Sequence, residues 1–147
     1  MNSFAQSVFS EPTQLTIPTS LFQIGMLPEN SGIGWNTNTN IFERTTEGIL
    51  IKKPGIYKIL GTIDCIMSQN DSIELHIFAN NVDCSSKSLY SGLENYRTMI
   101  QIMAYVIISE ETVINNYVIK LKIKSKLGTS VLLSNTSTSG TQINISK

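Results

Sequence analysis

The stretch GIYKILGTIDC, residues 55–65, decides the reading of the chain. Tyr57, Ile59, Gly61, Ile63 and Cys65 fall on one side of a two-residue period, and Lys58, Thr62 and Asp64 on the other. Side chains of an extended strand alternate between its faces, so this is a strand with one face in a core. In front of it, Pro54-Gly55 is a turn signal, and Ile49 and Ile51 share a face in GILIK. Behind it, SQND makes a turn and SIELHIFAN repeats the pattern. Ile73, Leu75, Ile77 and Ala79 point inward; Ser72, Glu74 and His76 point outward. His76 is thereby read as a solvated strand residue.

The strand expected over residues 98–108 is different. Ile100, Ile102, Ala104, Val106 and Ile108 line one face, while Met99, Met103, Tyr105 and Ile107 line the other, broken only by Gln101. A strand apolar on both faces is buried on both faces. In a two-sheet sandwich only one face of each sheet meets the core. The second face therefore needs cover, from a loop or from another subunit. Met and Tyr suit an interface, which favours the subunit and makes Met99, Gln101, Met103, Tyr105 and Ile107 its candidate residues. Over residues 114–124 the pattern is one-sided again, with Tyr117, Ile119, Leu121 and Ile123 inward and Lys120, Lys122 and Lys124 outward. The lysines read as an anion patch or as a solvated face that resists edge pairing. Short strands are expected over residues 21–27 and 131–133 and around Ile143 and Ile145.

Composition agrees with an all-β chain. Ile occurs 21 times and Ala 3 times in 147 residues, and Ser, Thr and Asn supply 45. β-branched residues favour strands, and the best helix former is nearly missing. The length suits one domain. Eleven basic and eleven acidic residues give no net charge, so there is no electrostatic case for nucleic acid or an anionic membrane. No apolar run reaches the ~18 residues of a membrane span. The first residues, MNSFAQSVFSEPTQL, have neither the basic nor the apolar region of a secretion signal, so synthesis in the cytosol is expected. The sequons at Asn70, Asn135 and Asn144 are expected from chance in so Asn/Ser/Thr-rich a chain. Cys65 and Cys84 are too few for a disulfide framework and form no CxxC motif; pairing and free thiols both stay open.

Residues 1–20 hold Pro12 and Pro18 and no sustained period. They read as a frayed terminus or as an arm that orders on a partner. Phe4, Val8 and Phe9 would then be the attachment residues, with the sandwich domain over residues 21–147. Polar loops are expected at 28–40, 81–97 and 134–141. The first holds the only Trp, Trp35, which is a plug over the core edge or a stacking platform; Tyr90 lies in the second.

No catalytic constellation is visible. Any nucleophile–histidine pairing would have to use His76, the single histidine. There is no GxSxG turn, no phosphate-binding glycine loop and no HExxH. The acidic pairs Glu110–Glu111 and Asp64–Asp71 have no motif around them. A structural or interaction module is the class that remains, with neither cofactor nor metal.

The order of segments carries a resemblance. GILIKKPGIYKILGTIDC, with its Gly55-Ile56-Tyr57 step, resembles the strand pair of the tumour-necrosis-factor/C1q-like jelly roll. SIELHIFANN, with Leu75, Ile77 and Asn80, is similar to that family's next strand, and STSGTQINISK looks like the last strand of its phage and spore-surface branch. The likeness spans residues 21–147. It departs at SEETVINNY, where Asn115-Asn116 stands in place of a Gly-Asp turn, and in having no collagen-like stalk. The resemblance implies an antiparallel two-sheet jelly roll of ten strands that trimerises about a three-fold axis. It further implies a bacteriophage virion protein, a head-fibre or decoration module on the capsid surface, partnered by other virion or capsid proteins. The alternative is a receptor- or glycan-binding adhesion module that uses the three polar loops, with Trp35 or Tyr90 as its platform.

Overall fold

The period-two patterning becomes two antiparallel sheets laid face to face. The computed structural model describes residues 2–10, 14–113, 117–133 and 140–147. In chain order the strands are β1 (Phe4–Val8), β2 (Leu15–Thr16), β3 (Phe22–Gln23), β4 (Trp35–Asn36), β5 (Phe42–Arg44), β6 (Ile49–Ile51) and β7 (Gly55–Met67). They continue with β8 (Ser72–Ala79), β9 (Val82–Tyr90), β10 (Tyr96–Ile108), β11 (Tyr117–Ser125), β12 (Val131–Leu132) and β13 (Gln142–Ser146).

The first sheet runs β10–β7–β13–β1–β4. β10 pairs with β7 along its whole length, from Gly55↔Ile108 to Met67↔Tyr96. The other edge of β7 is shared by β13 and by the short β12, which in turn pairs with β2. The second sheet runs β5–β6–β11–β8–β9, with β3 beside β11. This five-on-five arrangement, extended by three two-residue strands, is a jelly-roll sandwich. Isoleucines from both sheets fill the space between them: Ile59, Ile63, Ile100 and Ile145 from the first, Ile49, Ile73, Ile77 and Ile123 from the second. Tyr57 is fully buried, edge-on to Phe42 at 5.8 Å, and its hydroxyl donates to the Lys53 carbonyl at 2.6 Å. A buried phenol needs such a partner.

Three expectations are corrected. Residues 4–8 of the expected arm 1–20 are not free of the domain: β1 lies inside the first sheet between β13 and β4. Val8 and Phe9 are 0% and 3% exposed, so neither is presented for attachment, and only Phe4 stays open. A chain end with five ladder partners on β13 and three buried apolar residues, Ala5, Val8 and Phe9, is sheet, whatever its local pattern. Second, residues 82–90 of the expected loop 81–97 are strand β9. Asn80 and Asn81, with φ of 49° and 65°, make a two-residue hairpin turn from β8, the geometry that primed turns require. β9 is an edge strand exposed along most of its length, so it has no buried face to impose a period. Third, the loop 28–40 is partly ordered structure, holding a 3-10 turn over Glu29–Ser31 and strand β4. Of the loop 134–141, residues 134–139 lie outside the described residues.

Candidate functional site

The side chains of the first sheet that point away from the core form one continuous surface. β10 contributes Met99, Gln101, Met103, Tyr105 and Ile107, all exposed, while Ile100, Ile102, Ala104, Val106 and Ile108 are buried. Tyr105 is 63% and Ile107 80% exposed. Cross-strand partners share a face, so the register extends this surface. Leu60 and Asn144 stand in one row with Met103, and Gln6 and Trp35 continue it. Lys58, Ser146 and Phe4 stand in the row of Tyr105. Ile56 faces Ile107. Between the rows a shallow cavity of about 390 Å³ opens, lined by Phe4, Trp35, Lys58, Leu60, Asn144 and Ser146 among others.

This surface is graded along the strands. Its apolar end carries Ile56, Leu60, Met103, Tyr105 and Ile107 on β7 and β10, and Phe4 and Trp35 stand in the same rows beyond Lys58, Ser146, Asn144 and Gln6. Its middle is polar and tied together: Gln6 donates to Gln142, and Asn144 donates to the same Gln142 oxygen at 2.9 Å. At the far end the buried carboxylate of Asp64 takes the Arg97 guanidinium at 3.0 Å. Isolated apolar surface residues need no explanation, but a contiguous apolar patch on one sheet face marks an interaction surface.

Trp35 is set in place by a buried arginine. Arg44 donates to the carbonyls of Gln6, Ile33 and Glu29, and the Glu29 carboxylate accepts from the Arg44 amide at 2.9 Å and from Asn36 at 3.1 Å. These bonds lash the residue 28–36 segment onto β1 and β5. Trp35 is therefore part of the sheet surface rather than the tip of a loop. Tyr90, the other platform residue, lies on the second sheet, so the fold keeps the two apart. Sequence reasoning missed Ile56 and Leu60, whose signal was present: they flank Lys58 on the supposedly polar face of β7.

The remaining chemistry-bearing residues are occupied structurally. His76 is not freely solvated: its Nδ1 lies 2.9 Å from Asp83, and its ring sits tilted beside Phe78, 6.2 Å between centroids. The lysine stripe is engaged in place: Lys120 and Lys124 pair with Glu47 and Glu74, and Lys122 lies over the Phe78 ring. Asp71 is fully buried among the donors of Ser72, Ser125, Leu127 and Ser130. Cys65 and Cys84 are free thiols. Among the described residues, no cluster of His, Cys, Asp and Glu is placed to hold a metal, and no helix is long and apolar enough to cross a membrane.

The fold so described is the tumour-necrosis-factor-like jelly roll. Its strand arrangement is similar to that of Eiger TNF from S. frugiperda, with a TM-score of 0.61 at 11% identity over 98% of this chain and 90% of that one. Murine APRIL superposes with a TM-score of 0.62 at 8% identity, over 100% and 99% of the two chains. The vertex protein P5 of phage PRD1 matches with a TM-score of 0.56 at 18% identity, over 98% and 94%. At such identities the likeness shows the fold. No protein-family model and no curated protein sequence matches the chain.

Proposed function

We propose that this chain is a non-enzymatic structural protein of a bacteriophage virion: a homotrimeric module, of head-fibre or decoration type, on the capsid surface. The observation that carries the reading is the exposed apolar end of the first sheet. Met103, Tyr105 and Ile107 on β10 and Ile56 and Leu60 on β7 meet water in the single chain. Burying them against further copies removes that contact, and apolar burial is the main driving force of association. The resemblance to the tumour-necrosis-factor/C1q-like family supports three copies about an axis. The likeness to a phage vertex protein over nearly the whole of both chains supports the virion setting. Other capsid proteins are the expected partners, and the role requires no cofactor.

Light scattering on a sizing column tests the assembly. A mass about three times 16.3 kDa is expected. A clean monomer would remove the trimer and leave the virion setting resting on the likeness to the vertex protein. Immunogold labelling of particles with antibody to this chain then tests the location, and unlabelled capsids would defeat it.

A further inference from the structure

The opposite face of the sandwich carries a second, chemically different feature. On the outward side of the second sheet, Thr19, Ser72, Glu74, Ser88, Lys124 and Lys126 line a cleft of about 400 Å³. We propose that this cleft binds a saccharide bearing a carboxylate. Small-molecule clefts range from about 300 to 1,000 Å³, so the size admits a sugar.

The donor set fits that class. Among the described residues, no hydrogen bond occupies the hydroxyls of Thr19, Ser72 or Ser88. Each can donate and accept, as sugar hydroxyls do. Glu74 is held by Lys124 at 3.1 Å, which fixes an acceptor beside those hydroxyls and cancels its charge. Lys126 is exposed and in no ion pair among the described residues, so the cleft carries one uncompensated positive charge. An ammonium so placed matches a carboxylate on the ligand. Beside the cleft, on the same face of the sheet, Tyr90 is the ladder partner of Ser72 and is 61% exposed. Its hydroxyl donates to Asn70 at 2.8 Å, so the ring is held before any ligand arrives. A fixed aromatic ring offers its face to the apolar C–H side of a sugar at little entropic cost.

The cleft and the apolar surface lie on opposite sheets. An assembly closed through the first sheet leaves the cleft open on every copy, which multiplies weak single-site binding by avidity. That last step rests on the proposed trimer; the site on the single chain does not.

The test is a two-dimensional amide NMR titration of the full chain with three probes: methyl β-D-glucuronide, methyl β-D-glucoside as its neutral counterpart, and sodium sulfate as a bare anion. Saturable shifts at Ser72, Ser88, Tyr90 and Lys126 are expected with the glucuronide, at a millimolar dissociation constant. The glucoside should bind about tenfold more weakly, the size of one charge-assisted contact. Lys126→Gln should erase that difference, and Tyr90→Ala should weaken both sugars; both residues are exposed, and a dispersed spectrum checks that the variants fold. An equal response to sulfate would reduce the site to an anion contact and overturn the proposal. Equal binding of the two sugars, or shifts elsewhere or none, would also overturn it. A monomer that binds the glucuronide sinks the trimer alone, and a trimer that ignores it sinks the cleft alone.

Discussion

Met103 on β10 lies directly across from Leu60 on β7, and both side chains stand on the outward face of the first sheet. The next residues along β10, Ile102 and Ala104, are buried in the core. One strand thus has a dry face and a wet apolar face. Met103→Glu should therefore separate folding from assembly. The side chain is 47% exposed in the single chain, so its loss should cost the monomer only about 1 kcal/mol. Inside an apolar interface the same carboxylate would be desolvated without a partner. Light scattering should show the mass falling to one chain while the far-UV circular dichroism spectrum stays the same. An unaltered trimer would move the interface off this face.

Deleting residues 1–10 should unfold the domain rather than release it from a partner. β1 supplies the ladder partners of both β13 and β4, and Val8 and Phe9 are buried. Burial of each such side chain is worth about 1.5–3 kcal/mol, a large share of the ~5–15 kcal/mol of a whole domain. Low soluble yield, or a melting temperature lowered by about 10 °C or more, is the expected outcome. A truncated chain that melts like the full one would restore the attachment arm read from the sequence.

The sequence displayed its fold wherever a strand has one dry face. β7, β8, β10 and β11 alternate because the core takes every second residue, and their inward residues are those the period picks out. β9 was hidden for the converse reason: an exposed edge strand such as VDCSSKSLY has nothing to alternate. Its one local signal was the Asn80-Asn81 turn. β1 was hidden because its partner, β13, lies at the other end of the chain, with Phe4 set against Ser146. The site shows the same division. Met99, Gln101, Met103, Tyr105 and Ile107 were legible as one face of one strand. Their union with Leu60, Phe4 and Trp35 depends on register across five strands, which no local pattern encodes.

Gly48→Ala should destabilise the β5–β6 turn. Gly48 has φ of 154°, and a Cβ there would land against the carbonyl oxygen of Ile119 on β11. Both the backbone and the contact refuse a side chain. A loss of about 1–3 kcal/mol is expected from urea titration. An unchanged urea midpoint would show that β11 yields at that point.

The two thiols should react very differently. Cys65 is fully buried, and burial first and the neighbouring Asp64 second push its pKa up to about 12. Cys84 is exposed on β9; its pKa too is raised, by partial burial and by Asp83 against an opposing backbone hydrogen bond. Reaction requires the thiolate and access. Iodoacetamide at pH 8 should label Cys84 slowly in the native protein and Cys65 only after denaturation, read by peptide mass. Native labelling of Cys65 would mean that the first sheet opens on the labelling timescale.

Asp71 should make the protein acid-sensitive. Burial pushes its carboxyl pKa up, but the Ser125 and Ser130 hydroxyls and the Leu127 and Ser72 amides outweigh burial, and the net shift is downward. A folded pKa below the unfolded value of about 3.9 means that Asp71 contributes its full stabilisation above the unfolded pKa. That contribution is lost as pH falls through the folded pKa. Asp71→Asn keeps the shape but places amide hydrogens where donors already converge, so it should cost about 2–3 kcal/mol at neutral pH. It should also flatten the fall in stability that the native sequence shows below about pH 4. Urea midpoints measured across the acid range for both proteins decide the matter: converging curves assign the acid loss to Asp71, and parallel curves assign it to other carboxylates.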